Sequence, residues 1–296
     1  MFKKTYADIN GKQQCLVTYS TDAANPLILY LHGGPGDVCL PLIDTYNSTL
    51  MTDYTLVVWE QRGAGLSYYP FTDDDTPALQ DYVDDVKVII DTLLSEYGDQ
   101  KVYMIGHSWG SVIALTCLLQ FPEYIQAYIG CGQVINMQQT YDNQLAFLYN
   151  DSHVKKTLDF NSDSWMDHVL TTTRDIVKQG GSLYGRANYL YLVKSFLFSR
   201  TYTIKELLNR QKGAKQSIEK LWPELMTVDF SNITRLDVPV HLVEGVHDQH
   251  VSAAIAIEWF NQLKSSKSLH LFEKSAHFPQ WEEPDKFNRL VRELFQ

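Results

Sequence analysis

Residues 101–120 read KVYMIGHSWGSVIALTCLLQ, and the way they divide decides the fold. KVYMI is a short, nearly continuous apolar run, as a strand buried on both faces of a parallel sheet requires. Gly106-His107-Ser108-Trp109-Gly110 follows at once, and the small, apolar residues 111–120 continue as a helix. The pattern G-x-S-x-G is short enough to arise by chance; its place between a strand and a helix gives it weight. A serine there sits in a strained turn that needs glycines on both sides. Its oxygen then stands beyond the strand's carboxyl end, at a helix N-terminus that favours negative charge. Ser108 is therefore the candidate nucleophile; the plainer alternative is a serine that merely caps a helix.

Working outward, the same alternation recurs. Residues 26–31 (PLILYL) end in His32-Gly33-Gly34-Pro35-Gly36, and residues 54–59 (YTLVVW) end in Glu60-Gln61-Arg62-Gly63-Ala64-Gly65. Both read as buried strands closed by glycine turns. From 78 to 97 the period lengthens: Leu79, Val83, Val86, Ile90, Leu93 and Tyr97 recur at three- and four-residue steps, an amphipathic helix ended by Gly98. Residues 4–9 and 13–19 flank Asn10-Gly11, a dipeptide suited to a hairpin turn. Residues 125–131 give a further strand. The alternation stops over 134–232, where helical stretches near 186–199 and 203–221 point to an inserted helical subdomain rather than a long loop. It resumes with a strand at 238–244, a helix at 252–263, a strand at 268–272 and a terminal helix from Pro284. The expected organisation is a core of residues 1–133 and 233–296, interrupted by an insertion of 134–232.

The 296 residues carry 45% hydrophobic and 20% charged side chains, enough to bury a sizeable core, with a net charge of −10. That balance argues against nucleic acid as a partner. No run approaches the roughly 18 apolar residues needed to span a bilayer, and the start lacks the apolar stretch of a signal peptide, so no membrane partner is expected. Cys15, Cys39, Cys117 and Cys131 are widely spaced and read as free thiols of a cytoplasmic protein. The excess acids Asp73, Asp74, Asp75, Asp81, Asp84, Asp85 and Asp91 read as a solvated loop and helix face.

A serine nucleophile needs a neighbouring base. Of nine histidines, His32 and His107 lie inside glycine turns, where the backbone matters more than the ring; His241 and His270 lie in strands, and His153 and His168 in the insertion. His277 follows the last strand, where the base of a Ser…Asp…His order belongs. Asp248, in Gly245-Val246-His247-Asp248, follows an earlier strand and suits the orienting acid; Glu244 is its rival, still on the strand. His247, Asp248 and His250 could also be read as metal ligands, but no third ligand motif accompanies them, and neither metal nor cofactor is expected. The oxyanion donors should be the backbone N–H of Trp109 and one from the loop at 32–36, for which Gly34 is the choice.

HGGPG at 32–36, EQRGAGLS at 60–67, GHSWGS at 106–111 and the paired GVHD and SAH segments resemble the proline iminopeptidases and their α/β-hydrolase relatives. The resemblance implies an α/β-hydrolase fold: a mostly parallel sheet with an N-terminal antiparallel hairpin and an inserted helical cap. It implies Ser108, Asp248 and His277 as a triad, with Gly34 and Trp109 as oxyanion donors. Arg62 is read as structural, paired with a core carboxylate. Two positions depart from the family: Glu60 stands where Asp is usual, and Gln249 follows Asp248 where the family has a carboxylate for the substrate's α-ammonium. No acid occurs from 187 to 199, and Glu206, Glu219 and Glu224 lie further along. The expected function is hydrolysis of a small amide or ester through an acyl-enzyme, with aminopeptidase activity the specific form. The alternatives are an esterase or lactonase, or a binding relative with little turnover. The expected partner is a small molecule or short peptide.

Overall fold

The computed structural model describes residues 2–20, 22, 24–98 and 101–296. Eight strands form one sheet: β1 (Phe2–Ile9), β2 (Lys12–Tyr19), β3 (Leu27–Leu31), β4 (Thr55–Glu60), β5 (Val102–His107), β6 (Ile125–Cys131), β7 (Val240–Gly245) and β8 (Lys267–Phe272). Their order is β1-β2-β4-β3-β5-β6-β7-β8. The hairpin β1–β2 is antiparallel and joins β4 antiparallel; every other pair is parallel. At the hairpin turn Asn10 and Gly11 take φ of 51° and 75°, the positive pair that a two-residue hairpin with right-handed twist demands.

The two-residue period sorts side chains to the two faces of the sheet. Leu27, Leu29, Leu31, Val57, Trp59 and Met104 join one buried cluster, and Ile28, Tyr30, Leu56, Val58 and Ile105 join the other. Helices α1 (Leu79–Tyr97) and α2 (Trp109–Gln120) cover the first face. Between β6 and β7 come α3 (Met137–Tyr149), α4 (Trp165–Lys178), α5 (Leu190–Leu197) and α6 (Ile204–Leu225). Of these, only α5 and α6 are anticipated by the spacing of apolar residues. After β7, α7 (Ala253–Gln262) packs on the first face and α8 (Pro284–Leu294) on the second. Among the described residues no helix is long and apolar enough to cross a membrane. All four cysteines are free and buried.

Two expectations need correction. Helix α2 begins at Trp109, two residues earlier than its composition suggests, because Ser108 turns the chain by itself. Asp85 is not part of a solvated face. It is fully buried and receives four side-chain N–H bonds: two from Arg62 (2.7 and 2.6 Å), one from Asn10 (2.8 Å) and one from Gln14 (2.8 Å). Helical period alone hides this, since a buried acid looks like an exposed one until its partner is known. The ion pair expected of Arg62 thus joins the hairpin, the loop after β4 and α1, with its guanidinium over the Tyr82 ring. Removing one member leaves a buried charge unpaired, so Asp85→Asn should lower the unfolding free energy by about 3–5 kcal/mol in urea titrations. Asp81, half-exposed and 3.6 Å from the same guanidinium, should matter by less than about 1 kcal/mol on mutation to Asn. Equal, small effects of the two substitutions would overturn the assignment of Asp85 as the core partner.

Candidate active site

Ser108 stands between the end of β5 and the start of α2 with φ 52° and ψ −120°, a region few residues other than glycine occupy. Such a conformation costs on the order of 1–3 kcal/mol and must be held by its surroundings. Ser108 N–H donates to the Cys131 carbonyl at 3.1 Å, and the Ser108 carbonyl accepts from Ser111 N–H and Oγ at 2.8 and 2.6 Å. The flanking glycines leave no room for a side chain: a Cβ on Gly106 would come within 2.8 Å of the Gly110 carbonyl oxygen, and one on Gly110 within 2.1 Å of that of Leu31. The serine therefore sits at the helix N-terminus, where the first N–H groups have no partner within the helix.

The loop after β7 carries Asp248 and the loop after β8 carries His277. Their side chains meet in a hydrogen bond of 2.8 Å between Asp248 Oδ2 and His277 Nδ1, and both are buried. Asp248 Oδ1 accepts from the N–H groups of His250 and Val251 at 2.7 and 2.9 Å. Close backbone approach makes this possible, for a Cβ on Gly245 would lie 2.0 Å from the Ala276 carbonyl oxygen. Burial pushes the Asp248 carboxyl up and the His277 imidazole down. Glu244, the rival acid, stays on β7 and accepts from Gln133 N–H instead.

The rings of both glycine-turn histidines are bonded: that of His32 accepts from Gln61 N–H at 3.3 Å, and that of His107 reaches His277. The His107 Nε2–H donates to the His277 carbonyl at 3.0 Å and the two rings lie 4.8 Å apart. The residue before the candidate nucleophile is thereby tied to the candidate base. Burial drives the His107 imidazole well below its ordinary pKa, and His277 adds to that shift.

The loop at 32–36 runs against Ser108: a Cβ on Gly33 would be 3.2 Å from that of Ser108. Gly34 is exposed between buried neighbours, with φ 144°. Gln61, to which the sequence assigns no role, spans the glycine loop and the serine turn. It donates to the His32 carbonyl at 2.8 Å and accepts from the Trp109 indole N–H at 3.0 Å. Its only signal in the sequence is its place in the EQRGAG turn.

The insertion reaches the same region. Arg210 of α6 grips Asp37 through Nε at 2.6 Å and a terminal nitrogen at 3.2 Å, while Gln216 donates to the Gly63 carbonyl at 2.9 Å. Tyr202 donates a hydrogen bond to the buried Glu60, whose carboxyl burial pushes up to about 7. Tyr189 packs edge-on against Phe278. Glu206 closes the N-terminus of α6 through Thr203, Glu224 accepts from Leu79 N–H, and Glu219 is exposed. The two histidines of the alternative metal reading part company: His247 stacks on Tyr184 and His250 on His277. Among the described residues no group of three His, Cys, Asp or Glu side chains could hold a metal ion.

The sequence of residues 26–284 matches the family model described as alpha/beta hydrolase fold. The chain is 30% identical to the probable aminopeptidase YbaC of Bacillus subtilis (strain 168), over 96% of this chain and 93% of that protein. It is 23% identical to a proline iminopeptidase of Saccharolobus solfataricus, over 93% and 86% of the two chains. In structure it superposes on a proline iminopeptidase-related protein from Thermus thermophilus with a TM-score of 0.73 at 15% identity, covering 99% of this chain and 96% of the other, which shows a common fold. With a strand–serine–helix turn, a glycine loop beside it and a family match across most of its length, the chain belongs to the α/β-hydrolase family and is a hydrolase.

Proposed function

We propose that the protein is a serine hydrolase that cleaves a small amide or ester through an acyl-enzyme, with Ser108 as nucleophile, His277 as general base and acid, and Asp248 as orienter. The observation that carries this reading is the 2.8 Å bond between Asp248 and His277 Nδ1, which leaves Nε2 as the ring's basic nitrogen. His277 takes the Ser108 proton as Oγ attacks the substrate carbonyl. The oxyanion that forms receives the N–H groups of Trp109 and Gly34. Collapse expels the amine or alcohol with the proton from His277, and water, deprotonated by the same ring, releases the acid. The insertion 134–232 acts as a cap over this centre, and its contacts with the glycine loops through Arg210 and Gln216 support that role.

Aminopeptidase activity is the specific form proposed, on the strength of the relatives' own descriptions as a probable aminopeptidase and proline iminopeptidases. One observation favours an esterase instead. Gln249 is uncharged, and the acids around the centre already hold other groups: Asp37 holds Arg210, Glu60 holds Tyr202 and Leu66 N–H through one oxygen, Glu244 holds Gln133 N–H through one oxygen, and Glu282 holds the N–H groups of Ala276 and Tyr184. An α-ammonium buried without a carboxylate is costly.

Turnover of Pro-, Ala- and Leu-p-nitroanilides beside short- and long-chain p-nitrophenyl esters separates the two forms. Release from the anilides supports the aminopeptidase, and turnover of esters alone rejects it. In either case Ser108→Ala should lower kcat by at least about 10⁴-fold and abolish labelling by a fluorophosphonate. A wild-type protein that neither labels nor turns over any of these substrates overturns the hydrolase mechanism. The base must be neutral to act, and burial lowers the His277 pKa from its ordinary 6.5. As pH falls, kcat/KM should therefore hold through pH 6.5 and decline only below it. An acid limb at or above 6.5 would contradict a buried, neutral His277.

A further inference from the structure

His250 is two residues beyond Asp248 and takes no part in the proton transfers above. Its ring nonetheless lies face to face with that of His277, 4.6 Å between centroids and 20° between planes. Its backbone N–H is one of the two that hold Asp248 Oδ1. It is in turn gripped from the insertion at two points: Ser182 Oγ bonds its Nδ1 at 3.0 Å, and Gln144 Nε2 of α3 donates to its carbonyl at 2.6 Å. Ser182 also accepts the His277 N–H through its carbonyl at 3.1 Å, so one residue of the insertion touches both members of the stack.

We propose that His250 is a positioning residue that fixes the face of the His277 ring and, through Ser182 and Gln144, makes the orientation of the base depend on the placement of the insertion. This rests on the serine-hydrolase reading of the site and extends it. The His277 ring meets His107 at 4.8 Å and Phe278 edge-on at 5.0 Å, but His250 is the flat ring laid near-parallel against its face, where it opposes swinging about the Nδ1 bond and excludes water. The titratable side chains around His277 are Asp248 on its Nδ1, His107 from the end of β5 and His250 itself, with Tyr189 of the insertion near Asp248. Burial lowers the pKa values of both stacked rings, and the nearness of His277 adds to the lowering at His250.

The test compares His250→Ala, His250→Phe and Ser182→Ala with wild type, each corrected for active sites by fluorophosphonate titration. In His250→Ala, kcat should fall at least tenfold with KM changed less than threefold, and the acid limb of kcat/KM should move upward toward 6.5 as water reaches the ring. His250→Phe keeps an aromatic face and should recover most of kcat and the acid limb. Ser182→Ala should fall between the two. The downfield proton resonance of the Asp248–His277 bond, read without substrate and assigned by its loss in Asp248→Asn, should broaden in His250→Ala and stay sharp in His250→Phe. Unchanged kcat, acid limb and resonance in His250→Ala overturn the inference while leaving the hydrolase reading intact. So does a His250→Phe variant that folds, by circular dichroism, yet behaves like His250→Ala. The expected resonance changes in a protein that hydrolyses nothing would sink the hydrolase reading and uphold the positioning role.

Discussion

The contact on which the functional geometry depends is between two backbones. Helix α2 leaves Ser108 directly across the end of β3, so near that a single carbon on Gly110 would stand 2.1 Å from the Leu31 carbonyl oxygen. That approach allows the chain to reverse within one residue, at φ 52°, rather than over a loop. Because the reversal is immediate, Ser108 stays at the sheet's carboxyl edge instead of riding up onto a flexible connection. The same approach brings the glycine turn after β3 alongside the serine. Neighbouring strands in a parallel sheet end at one edge, so the loops after β7 and β8 are delivered there too, and Asp248 meets His277 across 29 residues of chain. Strain at one residue is stable here because tight packing on both sides leaves it no alternative.

How much of this can be read from the chain follows from the range of the forces involved. The strands announce themselves as apolar runs closed by glycine because burial on both faces is a local demand on composition, and the edges of β3, β4 and β6 fall within a residue or so of the pattern. Asp248 and His277 stand out by their position after strand ends, a consequence of topology. What the sequence conceals is pairing between distant side chains. Asp85 reads as one more surface acid until Arg62 is brought against it, and Gln61 reads as turn filler until it bridges His32 and Trp109. The ring of His107 is masked by the motif that surrounds it, since G-x-S-x-G leaves the x positions free. Helix α3 escapes a periodicity reading because its polar residues are part of its contacts: Gln144 is buried, bonded to the His250 carbonyl.

The insertion and the core are joined at the points where the core can least be altered. A Cβ on Gly36 would lie 2.5 Å from the Gly213 carbonyl oxygen and from the Ser217 side chain, and one on Gly65 would overlap the Glu60 carboxylate that Tyr202 bonds. The two turns thus serve two purposes with the same glycines: they bring backbone close to the serine on one side and admit α6 and Tyr202 on the other. Arg210 and Asp37 add a two-point ion pair across that seam. Movement of α6 away from the glycine loop would therefore strip Asp37 of its guanidinium partner and open the packing on Gly36 together, which couples the geometry of the loop to the placement of the insertion.

That seam also bears on the charge a substrate can carry. The chain is acidic overall, yet 12 Lys and Arg face 10 Asp and Glu within residues 134–232, so the excess negative charge belongs to the core. Asp37 is the acid nearest the glycine loop, and it already shares its two oxygens with a guanidinium. A substrate ammonium placed beside it would meet Arg210 as well, gaining one attraction and one repulsion of similar size. A neutral ester or acyl group meets no such opposition. The Glu60 carboxylate accepts from the buried Tyr202 hydroxyl, a donor whose loss of partner would cost roughly 1–3 kcal/mol, and Glu282 accepts from the N–H groups of Ala276 and Tyr184. An amine-terminated substrate would therefore have to share a carboxylate that already holds another group, whereas a neutral ester needs no such rearrangement.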